Sequence, residues 1–398
     1  MKTKHILLTL ISTLTFAQAA HSAPTELERW RSYNGVTWAA DGKPFSGSVG
    51  APIAGIHFDK NNRAFVSTPR LISAAAPATL SILDTSINGG AARLTAFPSE
   101  SGNSTANTTT NKTTTTPEQS LRNVLGFYVD NRNGWLWALD MGFVAGEAEA
   151  PVGAQKIVVY DLATGKVVKR IALDAVADRK GSFLNDIAVD EVRKIAYISD
   201  SGLRSAPNNQ AAIIVVDFKT GHAQRLLNRH ASVLPESGVK VFSNGAEVWA
   251  GNPLLVGING IALSPDARTL YWTVTAGEHA FAIPTQILRD AKASEQQVSA
   301  AIAPLGKVGG NTDGIVTDKR GQLYITDVTN NGIVRYNPKT KTMRLIASDP
   351  HVSWPDTAAI TADGHLVFTS SQLNQHFAGA VKAGEERYDL WRMVVNKR

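Results

Sequence analysis

The 398-residue chain contains no cysteine. Disulfides, thiolate metal sites, cysteine nucleophiles and lipid attachment at an N-terminal Cys are thereby excluded. Only 19% of the residues are charged and the net charge is +6. The positive residues are dispersed, and no basic run carries interleaved aromatics, so no nucleic-acid partner is expected. Outside the N-terminus no apolar run approaches the roughly 18 residues of a spanning helix. The chain also lacks a Gly-x-Ser-x-Gly elbow, a phosphate-cradling Gly-rich loop and a His-Glu-x-x-His pair, which disfavours serine-hydrolase and nucleotide chemistry.

The N-terminus does carry a signal. Met1-Lys-Thr-Lys-His is basic, Ile6 to Ala17 is apolar, and Ala17-Gln-Ala19 has the small-x-small spacing of a cleavage site. Residues 1–23 are therefore read as a signal peptide, with a retained membrane anchor as the alternative. A secreted or periplasmic protein of residues 24–398 follows, with no membrane association after cleavage. An exported chain without disulfides has to rely on its core, and at this length the core can be large enough.

What is present is a repeat. Ala54-Gly-Ile-His-Phe-Asp59, Leu125-Gly-Phe-Tyr-Val-Asp130, Asn185-Asp-Ile-Ala-Val-Asp190, Asn259-Gly-Ile-Ala-Leu-Ser264, Asp313-Gly-Ile-Val-Thr-Asp318 and Asp356-Thr-Ala-Ala-Ile-Thr361 align without gaps. Each is followed by a turn and a second alternating run, as in Ile195-Ala-Tyr-Ile-Ser-Asp200, and further strands follow in most units. Four strands in each of six units predict an all-β fold, a six-bladed β-propeller. Closure requires the termini to share the last blade, with an N-terminal strand around Gly35-Val-Thr-Trp38 completing it. Residues 101–117, almost entirely Ser, Thr, Asn and Gly, are expected to be a disordered loop. They include Asn-x-Ser/Thr sequons at Asn103, Asn107 and Asn111. Residues 284–303 have helical spacing and predict one or two short surface helices.

In a propeller the first strand of every blade lines the central channel. The first repeat positions, Ala54, Leu125, Asn185, Asn259, Asp313 and Asp356, should therefore meet at one mouth. Four of them present amide or carboxylate oxygens. Two carboxylates and two amides suit a hard divalent cation, calcium rather than zinc or copper, which would favour His or Cys. The alternative is a hydrated polar channel whose Asn and Asp residues serve turn geometry. Asp140, Asp200 and Asp327 end second strands at the same mouth and are either ligand contacts or turn caps. His57 is a channel histidine that could touch a ligand, and His279 is a candidate general base on a loop near the mouth.

At these residues the chain resembles the major royal jelly protein and insect yellow family. The parallels run in order through Arg63-Ala-Phe-Val-Ser-Thr-Pro-Arg70, Leu136-Trp-Ala-Leu-Asp-Met-Gly142, Ala196-Tyr-Ile-Ser-Asp-Ser-Gly202, Pro284-Thr-Gln-Ile-Leu-Arg-Asp290 and Trp354-Pro-Asp-Thr357. The resemblance implies a secreted six-bladed propeller whose relatives include binders of small amines and proteins linked to dopachrome conversion. A more local resemblance joins Asn259-Gly-Ile-Ala-Leu-Ser-Pro-Asp266 and Thr312-Asp-Gly-Ile-Val316 to the gluconolactonase and regucalcin group. It implies that Asn259 and Asp313 bind a divalent cation and that Asp313 also acts as a base. The Glu that this group carries in its first blade is replaced here by Ala54.

The expectation is thus a monomer that binds a small polar or aromatic ligand at the channel mouth over calcium. The alternatives are a metal-dependent lactone hydrolase using Asp313, or a dopachrome-type isomerase using His279 or Asp140.

Overall fold

A computed structural model describes residues 26–105, 108–110 and 113–395. The leader assigned to residues 1–23 lies outside them. The described strands form six sheets around one axis, a six-bladed β-propeller, plus two small hairpins. Alternating β-branched and aromatic residues make the strands, and the residue closing each repeat makes the turn. Asp59 accepts from the Asn61 and Arg63 N–H groups, Asp190 from Val192 and Arg193, and Asp318 from Arg320 and Gln322. Each side chain substitutes for backbone partners that a tight turn leaves unpaired.

The core is divided among the seams between blades. Trp137, Ile157 and Ile198 fill the seam between the second and third blades, and Tyr197, Trp272 and Ile283 the next. Val66 and Phe58 meet Leu390 and Ala359 between the first and last blades. A separate apolar cluster, with Val256, Trp354 and Leu373, sits over the axis. No single blade could bury these faces alone.

The last blade is closed from the N-terminus, but by a different segment from the one expected. Glu28–Tyr33 pairs antiparallel with Tyr388–Val394, and Val36–Thr37, inside the expected segment, instead runs parallel to Ala92–Ala96 of the first blade. Tyr33 is buried in the closing seam while Val36 anchors the first blade, so one N-terminal segment stitches two blades together.

Within 101–117 order is also found. Ser101–Asn103 form a short 3-10 turn, and Thr108–Thr110 pairs with Thr113–Thr115. Asn103 is fully buried, accepting from the Thr79 and Leu80 N–H groups and donating to the Phe97 and Ser99 carbonyls. A side chain used in this way is closed to glycosylation; Asn107 and Asn111 lie outside the described residues. In 284–303 the helices are Thr285–Arg289 and Glu295–Ala300, the second opened by a Ser294–Gln297 capping box. Among the described residues no helix is long and apolar enough to cross a membrane.

Candidate functional site

The first strands of the third to sixth blades enter their sheets irregularly. The ladder shifts register between Leu184 and Asp186, between Ile258 and Ile261, between Thr312 and Ile315, and between Pro355 and Ala358. A bulge at this point releases the first repeat residues from regular pairing and re-aims their side chains. Second-strand hydroxyls take over some of the freed backbone groups: Ser67 Oγ accepts from Gly55 N–H, Ser199 Oγ from Asp186 N–H, and Thr326 Oγ1 from Gly314 N–H.

Four of the six first residues come together. Asn185 Nδ2 donates to Asn259 Oδ1 at 2.5 Å, and Asn259 Nδ2 donates to Asp313 Oδ1 at 2.6 Å and to Thr275 Oγ1 at 2.8 Å. Asp313 Oδ2 accepts from Trp354 Nε1 at 2.6 Å. Asp356 stands beside Asp313, and among the described residues its carboxylate is held by the neighbouring Thr357 alone, whose hydroxyl donates to it at 3.3 Å. All four lie between 6% and 7% exposed, on the floor of a cavity of about 130 Å³. Its walls are apolar and include Leu125, Phe183, Trp249, Leu254, Trp354 and Phe377. Ala54 is wholly buried and adds no polar group.

The electrostatics follow from that burial. Asp313 is pushed up to about 7, chiefly by burial, although the Trp354 and Asn259 hydrogen bonds oppose the shift. Asp356 is raised well above the carboxylate range by burial first and by the Asp313 charge second. Among the described residues no Lys, Arg or His side chain pairs with either. Two acids in a low-dielectric floor without a cation favour their protonated forms well above the ordinary carboxylate range.

The other expected site residues are elsewhere. Asp140 is fully buried in an ion pair with Lys156 at 2.7 Å and accepts from the Arg122, Asn123 and Gly142 N–H groups. Asp200 holds Arg225 at 2.8 Å and the Phe183 and Gly202 N–H groups, and Asp327 caps the turn at Asn330. These three are turn caps that do not line the cavity, because the strand ends at which they sit need internal partners. His279 pairs with Glu236 at 2.9 Å, half-exposed and away from the cavity lining. His57 lies toward the opposite end of the channel, packed 5.3 Å from the Phe127 ring, with burial holding it down to about 4.

Three contributors escaped sequence reasoning. Trp354 binds Asp313, and its Trp-Pro-Asp spacing was the readable signal. Trp249 reaches the cavity from the irregular segment before the fourth blade, where no repeat marks it. Asp186 breaks the glycine that four other repeats carry at their second position.

The sequence pattern of the Major royal jelly protein family matches residues 123–398. Protein yellow of Drosophila erecta is 28% identical over 284 residues, covering 69% of this chain and 48% of that protein. Protein yellow of Drosophila simulans is 28% identical over 340 residues, covering 80% and 58%. The chain thus spans about half the length of the yellow proteins it matches. Among solved structures, a gluconolactonase of Xanthomonas campestris aligns over 95% of this chain and 96% of its own, with a TM-score of 0.50 and 15% identity. That likeness concerns the fold.

Proposed function

The chain belongs to the major royal jelly protein family, and from that premise we propose that it is an exported protein that binds a small polar or aromatic ligand at the channel mouth, over a calcium ion held by Asn185, Asn259, Asp313 and Asp356. The observation that carries this reading is the Asp313–Asp356 pair, buried beneath an apolar collar without a cationic partner. The donor set suits a hard ion, with two carboxylates to offset charge and two amides that would exchange their present hydrogen bonds for coordination. The ion would supply positive charge at the cavity floor. The walls supply the rest: the Trp249 Nε1–H donor and the Asn374 Oδ1 acceptor are buried and unpartnered among the described residues. A ligand lying against Trp249 and Phe377 would satisfy both while burying its apolar body.

Thermal unfolding in calcium and magnesium tests the ion. Calcium should raise the melting temperature of the full chain and not that of Asp313→Asn; no shift with either metal overturns the calcium site. Ligand binding is read separately, by screening aromatic and polar small molecules for saturable thermal shifts that Trp249→Ala abolishes.

A metal-dependent lactone hydrolase is the second reading, supported by Asp313 lying against Asn259 at the floor. Asp313 would then activate water. Ala54 stands against it, since it leaves the floor one carboxylate short. Calcium-dependent turnover of a lactone that is lost in Asp313→Asn would establish it. An isomerase using His279 or Asp140 has no support from the cavity, because neither residue lines it.

A further inference from the structure

The fifth blade gathers basic residues at the end of the molecule away from the mouth. Lys319 and Arg320 lie in the turn between its first and second strands, and Arg335 on its third strand, Gly332–Asn337. Lys339 and Lys341 lie in the next turn, and Arg344 on the outer strand, Thr342–Ser348. All six are exposed. No acid occurs between Val328 and Ser348.

Comparison with sister blades shows that this charge is held against local preference. Three blades build the turn after the third strand on one plan: Asp161-Leu-Ala-Thr-Gly165-Lys166, Asp217-Phe-Lys-Thr-Gly221-His222 and Asn337-Pro-Lys-Thr-Lys341-Thr342. In each, the first side chain caps the turn. Asp161 Oδ1 accepts from the Thr164 N–H at 2.8 Å, Asp217 Oδ1 from the Lys219 N–H at 2.7 Å, and Asn337 Oδ1 from the Lys339 N–H at 3.0 Å. The fifth position is left-handed in all three, with φ of 68° at Gly165, 78° at Gly221 and 54° at Lys341. Glycine takes that conformation freely, whereas a lysine is strained in it. Asn337 thus keeps the cap but drops its negative charge, and Lys341 adds a positive one where the backbone favours glycine.

The surrounding contacts repeat the pattern. Arg335 and Arg344 are directly opposite across the two strands, a like-charge pairing that weakens a sheet. In the turns between first and second strands, Arg63 pairs with Asp59 at 3.0 Å and Arg193 with Asp190 at 2.9 Å. In the fifth blade Asp318 is instead taken up by the Arg320 and Gln322 N–H groups, while the Arg320 guanidinium donates to the Val395 carbonyl. Arg320 and Arg335 both act on the Tyr324 hydroxyl, so the two turns form one surface. Local choices that oppose the fold in this way concentrate at functional surfaces.

We infer that this corner of the fifth blade is a docking surface for an acidic polysaccharide, a chain of uronate sugars. Its carboxylates match the arginine forks and lysine ammoniums, and its hydroxyls match Asn337, Thr340 and Thr342, which stand between the cations. No aromatic side chain is exposed between residues 319 and 348, so bases have no stacking platform. Leu345, the large apolar residue exposed here, lies on the outer strand and not at a turn tip, where entry into a bilayer would need it. The surface is independent of the channel mouth and of any ion there.

Fluorescence anisotropy of a labelled galacturonate oligosaccharide, titrated with the full chain in calcium-free buffer, tests it. The oligosaccharide should bind, a neutral dextran oligosaccharide should not, and binding should weaken as salt rises. Asn337→Asp, Lys341→Gly, which restores the sister turn, should weaken binding about 10-fold while the melting temperature is maintained or raised. Arg335→Gln, Arg344→Gln should weaken it similarly. Lys166→Gln, Arg170→Gln removes as many charges from the second blade, across the ring, and should leave affinity within about 2-fold. No binding by the unaltered chain, unchanged affinity in both fifth-blade variants, or an equal loss in the second-blade variant would each overturn the surface. Tighter binding to phosphatidylglycerol vesicles or to duplex DNA than to the oligosaccharide would overturn the polysaccharide as its occupant.

Discussion

Asp313 is restrained from two sides, by Asn259 and by Trp354, so its carboxylate keeps one orientation toward the cavity whether or not it carries a proton. Its pH behaviour has a definite sign. In the unfolded chain the group titrates at its ordinary value of 3.8, and in the folded protein at about 7. Between those values the folded state holds a proton that the unfolded chain has lost, so stability falls as pH rises through this window and stays lowered above it. Without metal, the melting temperature should be lower at pH 8 than at pH 5.5, by about 2–5 °C for a chain of this size. The double variant Asp313→Asn, Asp356→Asn should flatten that slope. Calcium should restore more stability at pH 8 than at pH 5.5, because protons and the ion compete for the same oxygens. Differential scanning at the two pH values checks all three. Trp354→Phe removes the 2.6 Å donor to Asp313 while keeping an apolar ring in the wall. About 2 kcal/mol of hydrogen bonding to a charged group should be lost, which corresponds to calcium binding weakened about 30-fold, measured by calorimetry.

At the scale of strands, acids serve two purposes that spacing alone does not separate. Asp313 and Asp356 begin first strands and face a cavity, whereas Asp140, Asp200 and Asp327 end second strands and face their own turns. Both sets lie toward the same end of the blades. The difference is that a turn has backbone N–H groups to satisfy, while the bulged strand start has already passed its own to Ser and Thr hydroxyls. Lys156 is 2% exposed and Asp140 is fully buried, so removing the lysine strands a charge. Lys156→Met should destabilise the protein by about 3–5 kcal/mol in denaturant unfolding, with calcium binding at the mouth unchanged. A loss of calcium affinity instead would return Asp140 to the binding site. Gly260→Ala should be poorly tolerated, since its Cβ would meet the Asp313 carbonyl oxygen at 2.3 Å and neither backbone can move without shifting a seam.

For the whole molecule, the ring depends on its closure. Glu28–Tyr33 supplies the outer strand of the last blade, and Tyr33 fills the seam between that blade and the first. Deleting residues 26–34 should therefore lower the melting temperature and broaden the transition, because the last blade loses its outer strand and the closing seam loses Tyr33. Much of this architecture was legible without coordinates: six copies in register disclose six blades, their apolar alternation the strands, and their first positions the four polar residues of the mouth. The N-terminal strand was placed too far along the chain because Gly35 to Trp38 and Glu28 to Tyr33 are both strand-like, and only the partner edges decide between them. Asn103 was hidden for a similar reason, since a polar stretch reads as solvated until the backbone groups it satisfies are known. The sequence by itself determined the fold and which side chains surround the axis, because both are periodic properties of the repeat. Tertiary structure alone decided which of those acids are already paired, that Trp354 and Trp249 complete the mouth, and that His57 lies toward the opposite end of the channel. Pairing, enclosure and the end of a channel at which a side chain emerges depend on contacts between blades, which no single copy of the repeat contains.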